Sequence, residues 1–180
     1  MALPSRKDLR LKNYDYGRDG AYFITICTNK KAYLFGEAIA VGADLVSAQM
    51  ALNYAGRMIE CVFLETVQSF AGMVVDKYVV MPNHFHCIIV VGRADTRFAP
   101  TGMKTVSDVV QAFKSKSTLE YIKGMKAGML PPFDKRIWQR NYYEHVIRDE
   151  RDYQTKWQYI DENPMKWADD IYYCDKRESV

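Results

Sequence analysis

Val79-Val80-Met81-Pro82-Asn83-His84-Phe85-His86-Cys87-Ile88-Ile89-Val90 is the stretch on which the fold turns. Two β-rich runs flank Met81-Pro82-Asn83, whose composition is that of a turn, so the stretch predicts a hairpin. Successive side chains of a strand point to opposite faces. His84 and His86 therefore share one face, while Phe85 and Cys87 point the other way, into a core. Two imidazoles side by side on a rigid support suit one metal ion. Two ordinary half-exposed histidines would give the same pattern, and the stretch alone leaves both readings open.

The neighbouring segments complete an order of elements. Residues 21–28 (AYFITICT) are β-branched and aromatic and read as a first strand. A short strand near 38–40 follows. Residues 47–66 carry Met50, Leu52, Ala55, Met58, Ile59 and Phe63 near the helical period, with Ser47 as the expected cap. Strands at 72–80 and 84–91 form the hairpin, and 92–102 is a polar loop. A helix is expected over 105–123, striped by Val106, Val109, Val110, Phe113, Leu119 and Ile122. Residues 124–132 break it, 137–147 read as a strand, and a last helix spans 150–163 before Pro164. Strand, helix, hairpin, helix, strand is the order of a ferredoxin-like α+β domain. An antiparallel sheet with two packing helices is expected, plus an appended C-terminal helix on residues 150–164. Residues 1–20 form a basic arm and 165–180 a polar tail of what reads as a single domain over 1–180.

Composition narrows the classes. At 180 residues and 48% hydrophobic, the chain can bury a proper core and is not of disordered type. A net charge of +3 permits a polyanionic partner without demanding one. The 13 Tyr, 8 Phe and 3 Trp offer faces on which single-stranded bases stack, although a core needs most such rings. Cys27, Cys61, Cys87 and Cys174 are scattered without a Cys-x-x-Cys pair, which argues against a zinc knuckle or a disulfide framework. Residues 1–17 are polar and basic and lack a signal-peptide core, and no apolar run approaches a membrane span. A reducing, cytoplasmic setting is the expectation.

The last predicted helix carries a tyrosine of interest. At 100° per residue, Tyr153, Trp157 and Ile160 form one stripe, which is expected to be buried. Asp152, Lys156, Tyr159 and Asn163 cluster on another face. A tyrosine outside the packing stripe, beside a cation and an amide, is a candidate for chemistry; an exposed tyrosine covering apolar surface is the alternative. Asn163 precedes Pro164, so its side chain could cap the helix or aim at a ligand.

Taken together these residues resemble the REP-associated tyrosine transposases, a branch of the single-tyrosine HUH (IS200-like) transposases. The name HUH stands for histidine, hydrophobic residue, histidine, matched by His84-Phe85-His86. Leu11-Lys12-Asn13-Tyr14-Asp15-Tyr16 with AYFITICT resembles the family's opening strand, and Phe113-Lys114-Ser115 lies where it has its second helix. IWQRNYYEHVIRDERDY leads into Tyr159-Ile160-Asp161-Glu162-Asn163-Pro164, similar to the family's Tyr-Ile-x-x-Asn-Pro signature. The chain departs after Pro164, where Met165-Lys166-Trp167 replaces a frequent Lys-His-Gly turn.

The resemblance implies roles. Tyr159 would be the nucleophile that cuts and rejoins DNA through a 5′-phosphotyrosine. His84, His86 and Asn163 would hold Mg²⁺ or Mn²⁺, and single-stranded DNA carrying a hairpin would be the partner. Lys156, Lys114, Lys116, Arg10 and Lys12 are candidate DNA contacts, against the alternative of a solvated basic face. His145 is expected to be structural rather than a ligand. The expected state is a monomer or homodimer with no membrane attachment. A domesticated protein that grips hairpin DNA without cutting it, and a metallonuclease that uses water, are the competing readings.

Overall fold

The computed structural model describes residues 20–41, 47–92 and 105–174. The N-terminal arm with Arg10 and Lys12 lies outside the described residues. Four strands, β1 (Gly20–Cys27), β4 (Met73–Val80), β5 (His84–Val91) and β6 (Tyr143–Ile147), form one sheet in the order β4-β5-β1-β6. Every pairing in it is antiparallel. With α1 (Tyr54–Gln68) between β1 and β4 and α2 (Val106–Lys126) between β5 and β6, this is the expected ferredoxin-like arrangement. Appended to it are a separate hairpin of β2 (Gly36–Val41) and β3 (Ser47–Leu52), and a last helix, α3 (Glu150–Glu162).

The central strands explain their own composition. β1 and β5 are buried along nearly their whole length, because α1 and α2 cover one face and α3 lies on the other. Strands covered twice read as continuous apolar runs rather than alternating ones. Under α1 and α2 the rings of Phe63, Phe85 and Phe113 meet at centroid distances of 4.5, 5.4 and 5.7 Å. Cys87 lies in the same core, on the side of Phe85 as alternation requires. On the opposite face Ile160 of α3 packs against Phe23 and Ile88.

Three expectations need correction. The helix expected over 47–66 begins only at Tyr54: Met50 and Leu52 belong to β3, whose period is two, and Asn53 rather than Ser47 is the cap, accepting from Gly56 N at 2.9 Å. Gly56 has a steric reason, since a Cβ there would collide with the carbonyl of Phe35. The strand expected over 137–147 is shorter, with Trp138 making one isolated bridge to Thr28 before β6. Trp157 is exposed rather than buried, its ring covered by the Lys77 ammonium at 3.8 Å from the centroid. α2 starts as expected, on a reciprocal cap between Thr105 and Asp108. Among the described residues no helix is long and apolar enough to cross a membrane.

Candidate active site

β5 turns both histidines toward α3, and both are fully buried rather than half exposed. Their ring centroids are 4.4 Å apart. His84 Nδ1 lies 2.8 Å from Asn83 Oδ1, and Asn83 Nδ2 donates to the carbonyls of Tyr172 and Lys31. An amide oxygen only accepts, so Nδ1 of His84 carries the proton and Nε2 presents a lone pair. His86 Nδ1 lies 2.7 Å from Thr25 Oγ1 on β1, directly across the ladder. Nε2 of His84 and Nε2 of His86 are buried without a hydrogen-bond partner, and so is Oδ1 of Asn163. Unpartnered buried polar atoms are costly, and with the Thr25 hydroxyl accepting from Nδ1 of His86 a bound cation would satisfy all three at once.

A carboxylate completes the group. Side-chain donors of His84, His86 and Asp170 all lie within 4.8 Å of one another, so these three could hold a metal ion. Each histidine's other ring nitrogen is fixed by a neighbour, which is how metal-binding imidazoles are usually oriented. Burial pulls the His84 imidazole down to about 4, against an opposing pull from the Asp170 carboxylate. His86 is also held well below its ordinary value by burial and by His84. Both rings are therefore neutral at physiological pH, as a ligand must be.

Tyr159 stands beside this group. Its ring meets His86 edge-on at 5.1 Å and Phe23 at 5.9 Å. Its hydroxyl donates to Asp170 Oδ2 at 3.2 Å, and Asn163 Nδ2 donates to the same oxygen at 2.8 Å. Burial, and then the Asp170 charge, push the phenol above its ordinary range, so the neutral form is strongly preferred. Lys156 lies 5.4 Å from the centroid of the Phe23 ring, which Tyr159 also meets. The helix is positioned by its caps: Asp149 accepts from Asp152 N, and Asp152 in turn holds His145 of β6 at 2.8 Å. His145 is thus a strut between β6 and α3.

The other predicted contacts part company. Lys114 directs its ammonium at the carbonyls of Gln139, Arg140 and Asn141, within 2.9 to 3.4 Å, so its three donors are used inside the fold. Lys116 is exposed on α2. The segment expected to be a polar tail is part of the site: Trp167–Asp169 is a 3₁₀ turn, and the Tyr172 ring lies 4.6 Å from His84. Asp170, Tyr172, Thr25 and Asn83 were not selected by sequence reasoning. Asn83 was legible only as a turn residue, and nothing distinguishes Asp170 from its neighbour Asp169 before the chain folds back.

No known family profile matches the chain. An uncharacterized protein of Haemophilus influenzae is 36% identical over an alignment of 183 residues, covering 94% of each chain. A REP-associated tyrosine transposase of Escherichia coli is 28% identical over 92 residues, 51% of this chain and 44% of that protein. Among solved structures, a REP-associated tyrosine transposase bound to a REP hairpin aligns with a TM-score of 0.54. It shares 21% identity, over 93% of this chain and 74% of that one, a likeness of fold.

Proposed function

This chain belongs to the REP-associated tyrosine transposases, sharing one family with the Haemophilus influenzae protein, and from that premise we propose that it cuts and rejoins single-stranded DNA beside hairpins through Tyr159. The observation that carries the reading is the set of unpartnered buried polar atoms, Nε2 of His84, Nε2 of His86 and Oδ1 of Asn163, next to the Tyr159 hydroxyl. His84, His86 and Asp170, with Asn163 beside them, would hold the cation. A donor set of two imidazoles, a carboxylate and an amide oxygen is compatible with Mg²⁺ or Mn²⁺. Bound there, the ion would polarise the scissile phosphate and offset its charge.

The chain's own groups account for the rest. The Tyr159 oxygen forms a bond to phosphorus while the bond from phosphorus to the 3′ oxygen breaks. The proton lost by the phenol is balanced by the one the 3′ oxygen gains. Phe23 and His86 hold the ring edge-on, so the nucleophile is positioned before substrate arrives. Asp170 accepts the phenolic hydrogen bond, which fixes the direction of the oxygen's lone pairs. The phosphotyrosine keeps the free energy of the broken bond, so attack by a 3′-hydroxyl rejoins strands without a further energy source.

Covalent trapping tests this. The protein and its Tyr159→Phe variant would be incubated with end-labelled single-stranded hairpins and Mn²⁺ or EDTA. A denaturant-resistant protein–DNA band that needs metal and Tyr159 is expected. Cleavage without adduct, unchanged in the variant, would replace strand transfer by hydrolysis. Binding without cleavage would favour the non-catalytic hairpin binder.

A further inference from the structure

We propose that the groove between the Asn29–Lys31 turn and residues 132–137 takes one nucleotide of the single strand that leads into the active site, with Arg136 on its phosphate and its base against Leu34 and Phe133. The proposal rests on the single-strand DNA reading above and adds where that strand lies.

The groove has a volume of about 430 Å³, within the range of sites that enclose a small molecule. Its walls are apolar, from Leu34, Pro132, Phe133 and Ile137, and its rim carries the Arg136 guanidinium and an ion pair of Lys30 with Asp134 at 2.8 Å. Apolar walls under the Arg136 cation match a nucleotide, which has a flat base and an anionic phosphate. The Arg136 guanidinium is held by one edge only: Nε donates to Asn29 Oδ1 at 3.3 Å, while Asn29 Nδ2 donates to the Asp134 carbonyl at 3.1 Å. Among the described residues its two terminal nitrogens have no hydrogen-bond partner, and that pair is the edge which binds phosphate in bidentate fashion.

The backbone gives a second, independent sign. Lys30 and Lys31 in one bordering turn, and Lys135 between the lining residues Asp134 and Arg136, adopt the left-handed conformation, with φ of 54°, 53° and 61°. Residues with a side chain avoid that region, and strained positions tend to gather where a ligand is met.

The groove is also tied to the catalytic group. Cys174 closes one end of it, and the Cys174 carbonyl accepts from the Tyr33 hydroxyl at 2.6 Å. Two residues earlier, the Tyr172 carbonyl is held by the same Asn83 amide that orients His84, and its ring lies against His84. A strand seated in the groove therefore passes the strap that roofs the dihistidine pair. At the far end Arg136 and Ile137 also border a more open groove along α2 that includes Arg140, which continues the basic path.

The test is fluorescence anisotropy in EDTA with one DNA hairpin, either blunt or carrying a short single-stranded extension at each end in turn. Arg136→Ala should weaken binding of an extended hairpin about tenfold and leave the blunt hairpin within twofold. Lys126→Ala, at the end of α2, should change neither. Arg136→Ala should also lower the slope of log affinity on log salt by about 0.7, one phosphate on a single strand. Equal losses on both hairpins, no loss, or an unchanged slope would overturn the groove. Adduct formation in Mn²⁺ separates the two readings. If wild type forms no adduct while extension-dependent binding still needs Arg136, the groove stands and strand transfer falls. If the adduct forms and the extension effect is absent, the groove alone falls.

Discussion

The two buried imidazoles make metal-free stability steeply dependent on acid. His84 and His86 are fully buried and their proton affinity is depressed, His84 to about 4 against an ordinary 6.5. A depressed value means that the unfolded chain binds protons in a window where the folded chain does not. Stability from this source is complete above pH 6.5 and is lost as pH falls toward 4. Lowering the pH from 7 to 5 costs ~2 kcal/mol for His84, from the ratio of proton binding in the two states. His86, held below its ordinary value by burial and by His84, adds to the loss in the same direction. At 2–4 °C per kcal/mol for a domain of this size, the His84 share alone should lower the melting temperature by roughly 6 °C. The assay is thermal unfolding in EDTA across pH 7.5 to 5, with His86→Gln beside the wild type. The variant should show a shallower slope. A flat wild-type profile, or an equal slope in the variant, would refute the claim that these rings are buried and neutral.

Mn²⁺ should raise the melting temperature of the wild type at pH 7.5, since a ligand of the folded state alone stabilises it, and the increment should fade on acidification as protons compete for the same nitrogens. Asp170→Asn should weaken Mn²⁺ binding at least tenfold by calorimetry, with little change in melting temperature; unchanged affinity would remove Asp170 from the cation group. Ile160→Ala should cost about 2–4 kcal/mol in a urea titration by emptying the contact of α3 with Phe23 and Ile88, and a smaller loss would mean the helix is held elsewhere. Lys114→Met should destabilise the fold by about 1–3 kcal/mol, because three carbonyls lose their shared donor, while Lys116→Ala should leave the melting temperature unchanged. The opposite order would return Lys114 to the surface.

What the sequence determined by itself is whatever depends on neighbours along the chain. Strand alternation placed His84 and His86 on one face with Phe85 and Cys87 on the other, and helical spacing placed Lys156, Tyr159 and Asn163 together. The order of strands and helices yielded the ferredoxin-like sheet. Local periodicity failed where two periods met, at Met50 and Leu52, because a two-residue and a helical pattern share those apolar positions until Asn53 resets the chain. The tertiary structure alone decided the remainder. Thr25 meets His86 across 61 residues by strand register, and Lys114 is consumed by carbonyls 25 to 27 residues away. Asp170 and Tyr172 reach the site only because the chain after Pro164 folds back over it and is tied down by Asn83 and Tyr33. A short polar segment has no periodicity to betray such a path, because its place is set by hydrogen bonds to residues far away in sequence rather than by its own pattern of apolar side chains.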